Sequence, residues 1–237
     1  MQDLANMPAP LEPEGPWRHC FSYHPMNVEI AGSDGIYLID NEGRRYIDAS
    51  GGPMAINLPH NDPRMKAAIA KQMEDYAYVH PTVANPKRAE LCAALAEIAP
   101  HDLNTSYLVS GGSEAVESAM KIARQYHLAT GNREKYKTIS CYESYHGMTL
   151  GTQALSGNPR SMAPFEPMLP KWPHVAQYSD HRRPEGMSRD DWGRECAAEL
   201  ERAIHFEGAA TVSAFIATPV GCGPDYGLFA PKTYWQE

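Results

Sequence analysis

Residues 106–126 read SYLVSGGSEAVESAMKIARQY, and the hydrophobic period changes part-way along this stretch. Residues 107–109 form a short apolar run that favours a buried strand, and the two glycines that follow break the run. From Ser113 onward, apolar residues recur at the spacing of one helix face: Val116, Ala119, Met120 and Ala123. The stretch therefore predicts a strand, a tight turn and a helix.

The predicted turn, Gly111, Gly112 and Ser113, would leave free amide N–H groups at the positive end of a helix dipole. Because glycine lets an anion approach the backbone closely, such a turn is suited to binding phosphate. The turn lacks the lysine of a P-loop, and its glycines do not follow the G-x-G-x-x-G spacing of dinucleotide folds. On these residues alone, a phosphate site and a plain capped turn both stay open.

Strand and helix patterns alternate along the second half of the chain. Residues 137–141 predict a strand, residues 211–217 predict a further buried strand, and a capping sequence at Ser188 opens a helical pattern between them. This alternation is typical of a mostly parallel sheet with helices on both faces. Residues 157–186 are rich in proline and weakly periodic, so they predict a long irregular connection. The sequence therefore predicts an α/β fold.

The N-terminal part has a different pattern. Residues 1–16 predict a tail or an arm, and residues 35–48 predict a hairpin around an Asp-Asn-Glu-Gly turn. Asp62 and Pro63 are typical of a helix start, and a second helical pattern begins near Pro86. We expect an N-terminal arm, hairpin and loop over residues 1–60, which form a small hairpin and helix layer, and a large domain over residues 61–237.

Composition excludes several classes of function. The chain has 237 residues and a formal net charge of −8, which argues against a nucleic-acid partner. The five cysteines contain no C-x-x-C, and the histidines show no ligand spacing, so neither a metal site nor a disulfide framework is expected. No apolar run approaches the length of a membrane span, and no leader pattern opens the chain. We therefore expect a cytoplasmic protein with no membrane partner.

Two motifs resemble one enzyme family. Residues 111–117, GGSEAVE, and residues 145–149, YHGMT, resemble the cofactor segments of class III (omega-type) aminotransferases, which are pyridoxal-phosphate enzymes of fold type I. The hairpin at residues 35–48 also resembles the N-terminal hairpin of that family. The resemblance implies that residues 61–237 are the N-terminal part of the large domain that binds pyridoxal phosphate, and that residues 50–57 run past the substrate.

The resemblance also implies roles for individual residues. The cofactor would contact Gly111, Gly112, Ser113, Tyr145 and His146, where Tyr145 stacks on the pyridoxal ring. For His146, a hydrogen bond within its own loop is an equal alternative. The substrate would contact Met26, Pro53, Met54, Tyr78 and Thr218, although apolar packing for the first three and a dimer-interface role for Tyr78 stay open. Thr218 stands where relatives have a glutamate that pairs with an arginine receiving the substrate carboxylate.

The reactive groups of the family lie elsewhere. In relatives, the Asp that pairs with the pyridinium nitrogen and the Schiff-base Lys both come after the position of Glu237, so no catalytic residue is predicted in this chain. We expect one subunit of a split enzyme, a hetero-oligomer with a complementary C-terminal-half chain that carries Lys and Asp. The pair would transfer an amino group from an amine or amino acid to a 2-oxo acid. A non-catalytic paralogue that stabilises a partner aminotransferase subunit, and a truncated reading frame, are the alternatives.

Overall fold

The computed structural model describes residues 28–221 and 227–237, and at Pro53 and Met54 it describes the backbone only. The chain forms two compact units that divide between Ala89 and Glu90. The predicted arm at residues 1–16 and the predicted substrate residue Met26 lie outside the described residues.

A small antiparallel sheet opens the first unit. Its strands, in the order β1-β2-β3, are Ile30–Asp34 (β1), Tyr37–Asp40 (β2) and Arg45–Ile47 (β3). The Asp40 carboxylate, buried in the β2–β3 turn, accepts hydrogen bonds from the Arg44 amide at 2.8 Å and from the Arg44 Nε at 2.6 Å. Gly43 takes a φ of +81° in the same turn, a backbone conformation that glycine adopts without strain. The hairpin predicted for residues 35–48 is confirmed.

Helices complete the first unit. They are Gly51–Met54 (α1), Pro63–Asp75 (α2) and the start of Pro86–Ile98 (α3), which continues into the second unit. The Asp62 side chain accepts the Arg64 amide hydrogen bond, which caps α2 as predicted. Asn61 binds the hairpin, because its Oδ1 accepts the Gly35 amide at 3.1 Å. The His60 amide also donates to the Gly35 carbonyl, so residues 60 and 61 are both bonded to the hairpin. The predicted domain bounds and the roles of the two parts stay predictions.

The second unit is built on a parallel sheet. Its elements are Gly112–Ala129 (α4), Lys137–Cys141 (β4), Leu150–Ser156 (α5), Pro159–Met162 (α6), His174–Val175 (β5), Arg189–Glu207 (α7), Val212–Ile216 (β6) and Lys232–Gln236 (α8). The strands lie in the order β5-β4-β6 and all run parallel. The predicted α/β class with a mostly parallel sheet is therefore confirmed. The connection over residues 157–186 contains α6 and β5 between irregular segments.

Helices cover both faces of this sheet. On one face, the Ser140 hydroxyl donates to the Leu155 carbonyl of α5 at 2.7 Å. On the other face, Ile139 and Cys141 belong to a buried cluster with Cys196 of α7 and Tyr234 of α8. Burial raises the pKa of the Cys141 thiol to about 11, so this thiol stays protonated and serves as core packing.

The buried strand predicted for residues 107–109 is wrong. The structure has no strand there, and the side chains of Tyr107 and Leu108 are 72% and 42% exposed. β6 pairs with β4 along one edge, and no described strand pairs with its other edge or with residues 107–109. An apolar run becomes a buried strand only where a neighbouring strand takes its hydrogen bonds and covers its faces.

Over residues 28–221 and 227–237, none of the helices combines the length and the apolar character that crossing a bilayer requires. The cytoplasmic location stays a prediction.

Candidate functional site

The turn before α4 presents free backbone donors. Gly111 is extended, with a φ of −160°, and α4 begins at Gly112 with no side-chain cap. In the described chain, the amide N–H groups of Gly111, Gly112 and Ser113 donate to no protein acceptor. A Cβ placed on either glycine would meet nothing within 4 Å. Open donors at the N-terminus of a long helix fit a phosphate group.

Glu114 accepts the backbone hydrogen bond of Ser110, the residue before this turn. Its carboxylate accepts the Ser110 amide hydrogen bond at 2.8 Å. An acidic residue in the first turn also suits the positive end of the helix dipole. This contact holds Ser110 without using the amides of the three turn residues, so the turn keeps its donors.

A second segment follows the C-terminal end of β4. Ser144 donates to the Cys141 carbonyl at 2.7 Å, and the His146 amide donates to the Ser156 hydroxyl at 2.9 Å. Between these anchored residues, the Tyr145 side chain is 48% exposed and has no ring partner among the described residues. An aromatic ring with a free face at this edge of a parallel sheet suits stacking on a flat ligand.

In contrast to Tyr145, the next residue, His146, is buried. Its side chain is 8% exposed, and its Nε2 atom has no hydrogen-bond partner in the described structure. Burial lowers the pKa of His146 to about 4, and the neighbouring His174 contributes to the same direction. The imidazole is therefore neutral near pH 7. The hydrogen bond that His146 makes comes from its backbone amide and reaches the Ser156 hydroxyl at the C-terminal end of α5, outside its own loop.

The two segments contact each other. The Met148 amide donates to the Ser113 hydroxyl oxygen at 3.0 Å, and the Thr149 hydroxyl donates to Glu117 Oε1 at 2.7 Å. Gly147 allows this approach, because a Cβ there would lie 2.5 Å from Ser113 Oγ. The fold thus brings the predicted phosphate turn and the segment of Tyr145 together, although they are separated by β4 in the chain.

The predicted substrate residues are divided between the two units. Thr218 follows β6 at the same edge of the sheet as Tyr145, and its carbonyl oxygen accepts a hydrogen bond from the Tyr178 hydroxyl. Tyr78 belongs to the first unit and is 74% exposed. The backbone of Pro53 and Met54 lies in α1. The substrate roles of these four residues stay predictions.

Comparison with known proteins defines the family. The family model for aminotransferase class-III matches residues 21–235. The chain belongs to the class III aminotransferases. One curated relative, a probable aminotransferase (Rv3329) of Mycobacterium tuberculosis, is 36% identical over 93% of this chain and 48% of its own length. The chain spans about half the length of the curated relatives it matches.

Solved structures agree with this membership. An (S)-enantioselective omega-transaminase from Thermomicrobium roseum superposes with a TM-score of 0.82 at 32% identity, over 93% of this chain and 48% of that protein. An omega transaminase from Pseudomonas jessenii, determined in complex with PMP, gives a TM-score of 0.83 at 29% identity, over 91% of this chain and 50% of that protein. The fold is that of fold-type I transaminases, and class III aminotransferases depend on pyridoxal phosphate.

The contacts that join the two motif segments were not predicted from the sequence. Glu117 and Thr149 appeared there as the last letters of the two motifs, and Gly151 and Thr152 follow the second motif on α5. The bond from Thr149 to Glu117 joins residues 32 positions apart, and no local pattern in the sequence signals such a pair.

Proposed function

We propose that this chain supplies the phosphate-binding turn and the ring-stacking tyrosine of a pyridoxal-phosphate site in a class III aminotransferase. The assembled enzyme transfers an amino group from an amine or amino acid to a 2-oxo acid. The observation that carries the proposal is the set of free amides at Gly111, Gly112 and Ser113, held next to the segment of Tyr145.

Each residue has a separate task in this proposal. The three turn amides donate hydrogen bonds to the phosphate, and the α4 dipole adds to their attraction for the anion. Tyr145, which is half exposed, would stack on the pyridine ring and help to hold it. The buried His146 stays neutral, so it adds no charge to the segment that carries Tyr145. When bound, pyridoxal phosphate supplies the electron sink that amino transfer requires.

The reactive lysine and the acid that pairs with the ring nitrogen come from a complementary chain in this proposal. The free edge of β6 and the exposed residues 107–109 support a partner that contributes further strands. The side chains of Ile122 and Tyr126 on α4 are also exposed, at 52% and 63%. An apolar surface next to an open sheet edge is typical of an interface and not of a free monomer. In this proposal the assembly is a hetero-oligomer.

Thr218 bears on the choice of substrate. It stands at the carboxyl edge of the sheet, where α/β folds bind ligands, and it brings no charge there. We therefore propose that this enzyme handles the substrate carboxylate differently from relatives with glutamate at the matching position. In the assembled enzyme, Thr218→Glu is expected to change the ratio of kcat/KM between a simple amine and an amino acid donor. An unchanged ratio would remove Thr218 from the substrate site.

Co-expression with the product of a neighbouring gene that carries the acid segment and a later lysine tests the proposal. The chain alone is expected to bind pyridoxal phosphate without transferring an amino group. The purified pair is expected to transfer one from an amine to pyruvate, and Gly111→Val in the pair is expected to reduce this rate. A pair with neither bound cofactor nor amino transfer contradicts the proposal, whereas bound cofactor without transfer favours the non-catalytic paralogue.

A further inference from the structure

A group of polar side chains joins the two motif segments, and we name it the inter-motif tether. Its members are Ser113 and Glu117 on α4, Thr149, and Thr152 on α5. Ser113 Oγ accepts the Met148 amide at 3.0 Å across 35 residues of sequence, and Glu117 Oε1 accepts the Thr149 hydroxyl at 2.7 Å. Thr149 Oγ1 also lies 2.8 Å from Thr152 Oγ1. The tether therefore fixes the residues after Tyr145 against the first two turns of α4.

Two glycines make room for the tether. A Cβ on Gly147 would lie 2.5 Å from Ser113 Oγ and 2.6 Å from Thr152 Oγ1. A Cβ on Gly151 would lie 2.6 Å from Glu117 Oε1. Each distance is shorter than side-chain contacts allow, so a larger residue at either position would push the tether apart. The close approach is thus built into the backbone on both sides of Thr149.

In the tether, the hydroxyl and the backbone amide of Ser113 have separate roles. The hydroxyl oxygen accepts the Met148 amide, while the Ser113 amide N–H, like those of Gly111 and Gly112, donates to no acceptor in the described chain. A phosphate at the turn would therefore contact the same residue whose side chain holds the Tyr145 segment. Glu117 is one helical turn further along α4, and it holds the next residue, Thr149. Binding at the turn and the position of the segment are linked through this one helix face.

We propose that Ser113 and Glu117 are positioning residues, which act through Met148 and Thr149 so that a phosphate ester bound at the turn orders the loop that carries Tyr145. This inference rests on the proposed function for its ligand, an aromatic phosphate ester. Neither side chain needs to touch the aromatic ring. Tyr145 receives its position through the backbone of residues 146–149, which is bonded at both ends: to Ser156 through the His146 amide and to α4 through the tether.

Hydrogen exchange of the full chain tests this linkage, with inorganic phosphate and pyridoxal phosphate as the two probes. In the wild type, either probe is expected to slow exchange about tenfold both at residues 110–114 and at residues 145–150. Thr149→Val removes the donor to Glu117 and keeps the side-chain shape. In that variant we expect slowing at the turn but not at the loop, and Thr149→Ser is expected to restore slowing at the loop.

Thr130→Val is the matched control, because the Thr130 hydroxyl bonds near the C-terminal end of α4, to the Tyr126 and His127 carbonyls and the Asn132 side-chain amide, and touches no member of the tether. It is expected to leave the response of the loop unchanged. A loop that is slowed equally in Thr149→Val and wild type overturns the inference. If neither probe slows the turn in wild type, the proposed function fails. In that case the tether is tested by the exchange rate of residues 145–150 without a probe. A rate about tenfold faster in Thr149→Val than in wild type, restored to the wild-type rate in Thr149→Ser, supports the tether. Equal rates in Thr149→Val and wild type overturn it.

Discussion

At the scale of single residues, the buried imidazole of His146 makes the stability of the fold depend on pH. Burial lowers the pKa of His146 to about 4, whereas a histidine in an unfolded chain titrates near 6.5. Between these values the unfolded chain takes up a proton that the folded chain does not. The free energy of unfolding is therefore expected to fall as the pH drops from about 6.5 to 4, by up to about 3 kcal/mol.

Urea unfolding between pH 4 and pH 7 measures this slope. His174 contributes in the same direction, because burial also lowers its pKa. His146→Asn is expected to flatten most of the slope, whatever its effect on stability at pH 7. His205→Gln is the control, since that side chain is exposed on α7. A slope as steep in His146→Asn as in wild type would contradict the neutral buried state.

Gly147 and Gly111 differ in what a side chain would meet. Gly147 has a φ of +133°, and a Cβ there would lie 2.5 Å from Ser113 Oγ. Gly147→Ala is therefore expected to lower the free energy of unfolding by about 2–4 kcal/mol. Gly111 is extended and has open space around it, so Gly111→Ala is expected to stay within about 0.5 kcal/mol of wild type. Equal urea midpoints for the two variants would refute the packing at Gly147.

Some features of the candidate site could be predicted from the sequence and others could not, because the interactions that produce them join residues at different separations along the chain. Gly111, Gly112 and Ser113 were predicted because a turn and a helix start are local patterns. The burial of His146, the exposure of Tyr145 and the bond from Thr149 to Glu117 depend on how β4 and α5 pack beside α4. Contacts of that kind are set by the fold and leave no periodic signal in the chain.

At the scale of elements, α4 is apolar on two faces. Val116, Met120 and Ala123 are half-buried, and α4 packs against α5 and β6. A second stripe of exposed apolar residues runs along the same helix: Ala115, Ala119, Ile122 and Tyr126. The sequence placed Ala119 on one helix face with Val116 and Met120, but the structure exposes Ala119 and half-buries the other two. A helix with apolar residues on two sides is typical of one that is packed on both sides.

Gly151 and Glu117 are expected to be coupled energetically. In the wild type, Gly151→Ala gains helix propensity in α5 but pushes the Glu117 carboxylate, which would lie 2.6 Å from the new methyl group. In a Glu117→Ala background that contact is gone, so the same change is expected to raise the free energy of unfolding by about 1 kcal/mol. A double-mutant cycle by urea unfolding measures the difference. Additive effects within about 0.3 kcal/mol would contradict the contact.

Most elements followed from local patterns. The hairpin and β4 lie close to their predicted positions, and α2 with its Asp62 cap and α4 begin close to theirs. The run at residues 107–109, YLV, is more apolar than β4, KTISC, but forms no strand, since no described strand lies beside it. Composition predicts that a segment is able to form a strand, and a neighbouring strand decides whether it does.

At the scale of the whole molecule, the exposed side of α4 is where we expect the complementary chain to dock. Replacing Ile122 and Tyr126 together by Glu is expected to leave the isolated chain folded, because both side chains are exposed. The double variant is expected to bind less of the dye ANS and to lose assembly with the complementary chain, measured by sedimentation velocity. Phe206→Glu is the control, as Phe206 is 90% exposed on α7, which packs on the opposite face of the sheet. Unimpaired assembly of the double variant would place the interface elsewhere.

The most direct test of the central claim is the affinity of the purified chain for pyridoxal phosphate compared with pyridoxal, followed by fluorescence titration. Because the turn amides contact only the phosphate in our account, pyridoxal phosphate is expected to bind at least about tenfold more tightly. Gly111→Val, whose side chain suits the extended backbone but fills the open space at the turn, is expected to remove this difference at unchanged stability. Equal affinities for the two compounds in the wild-type chain would contradict the account.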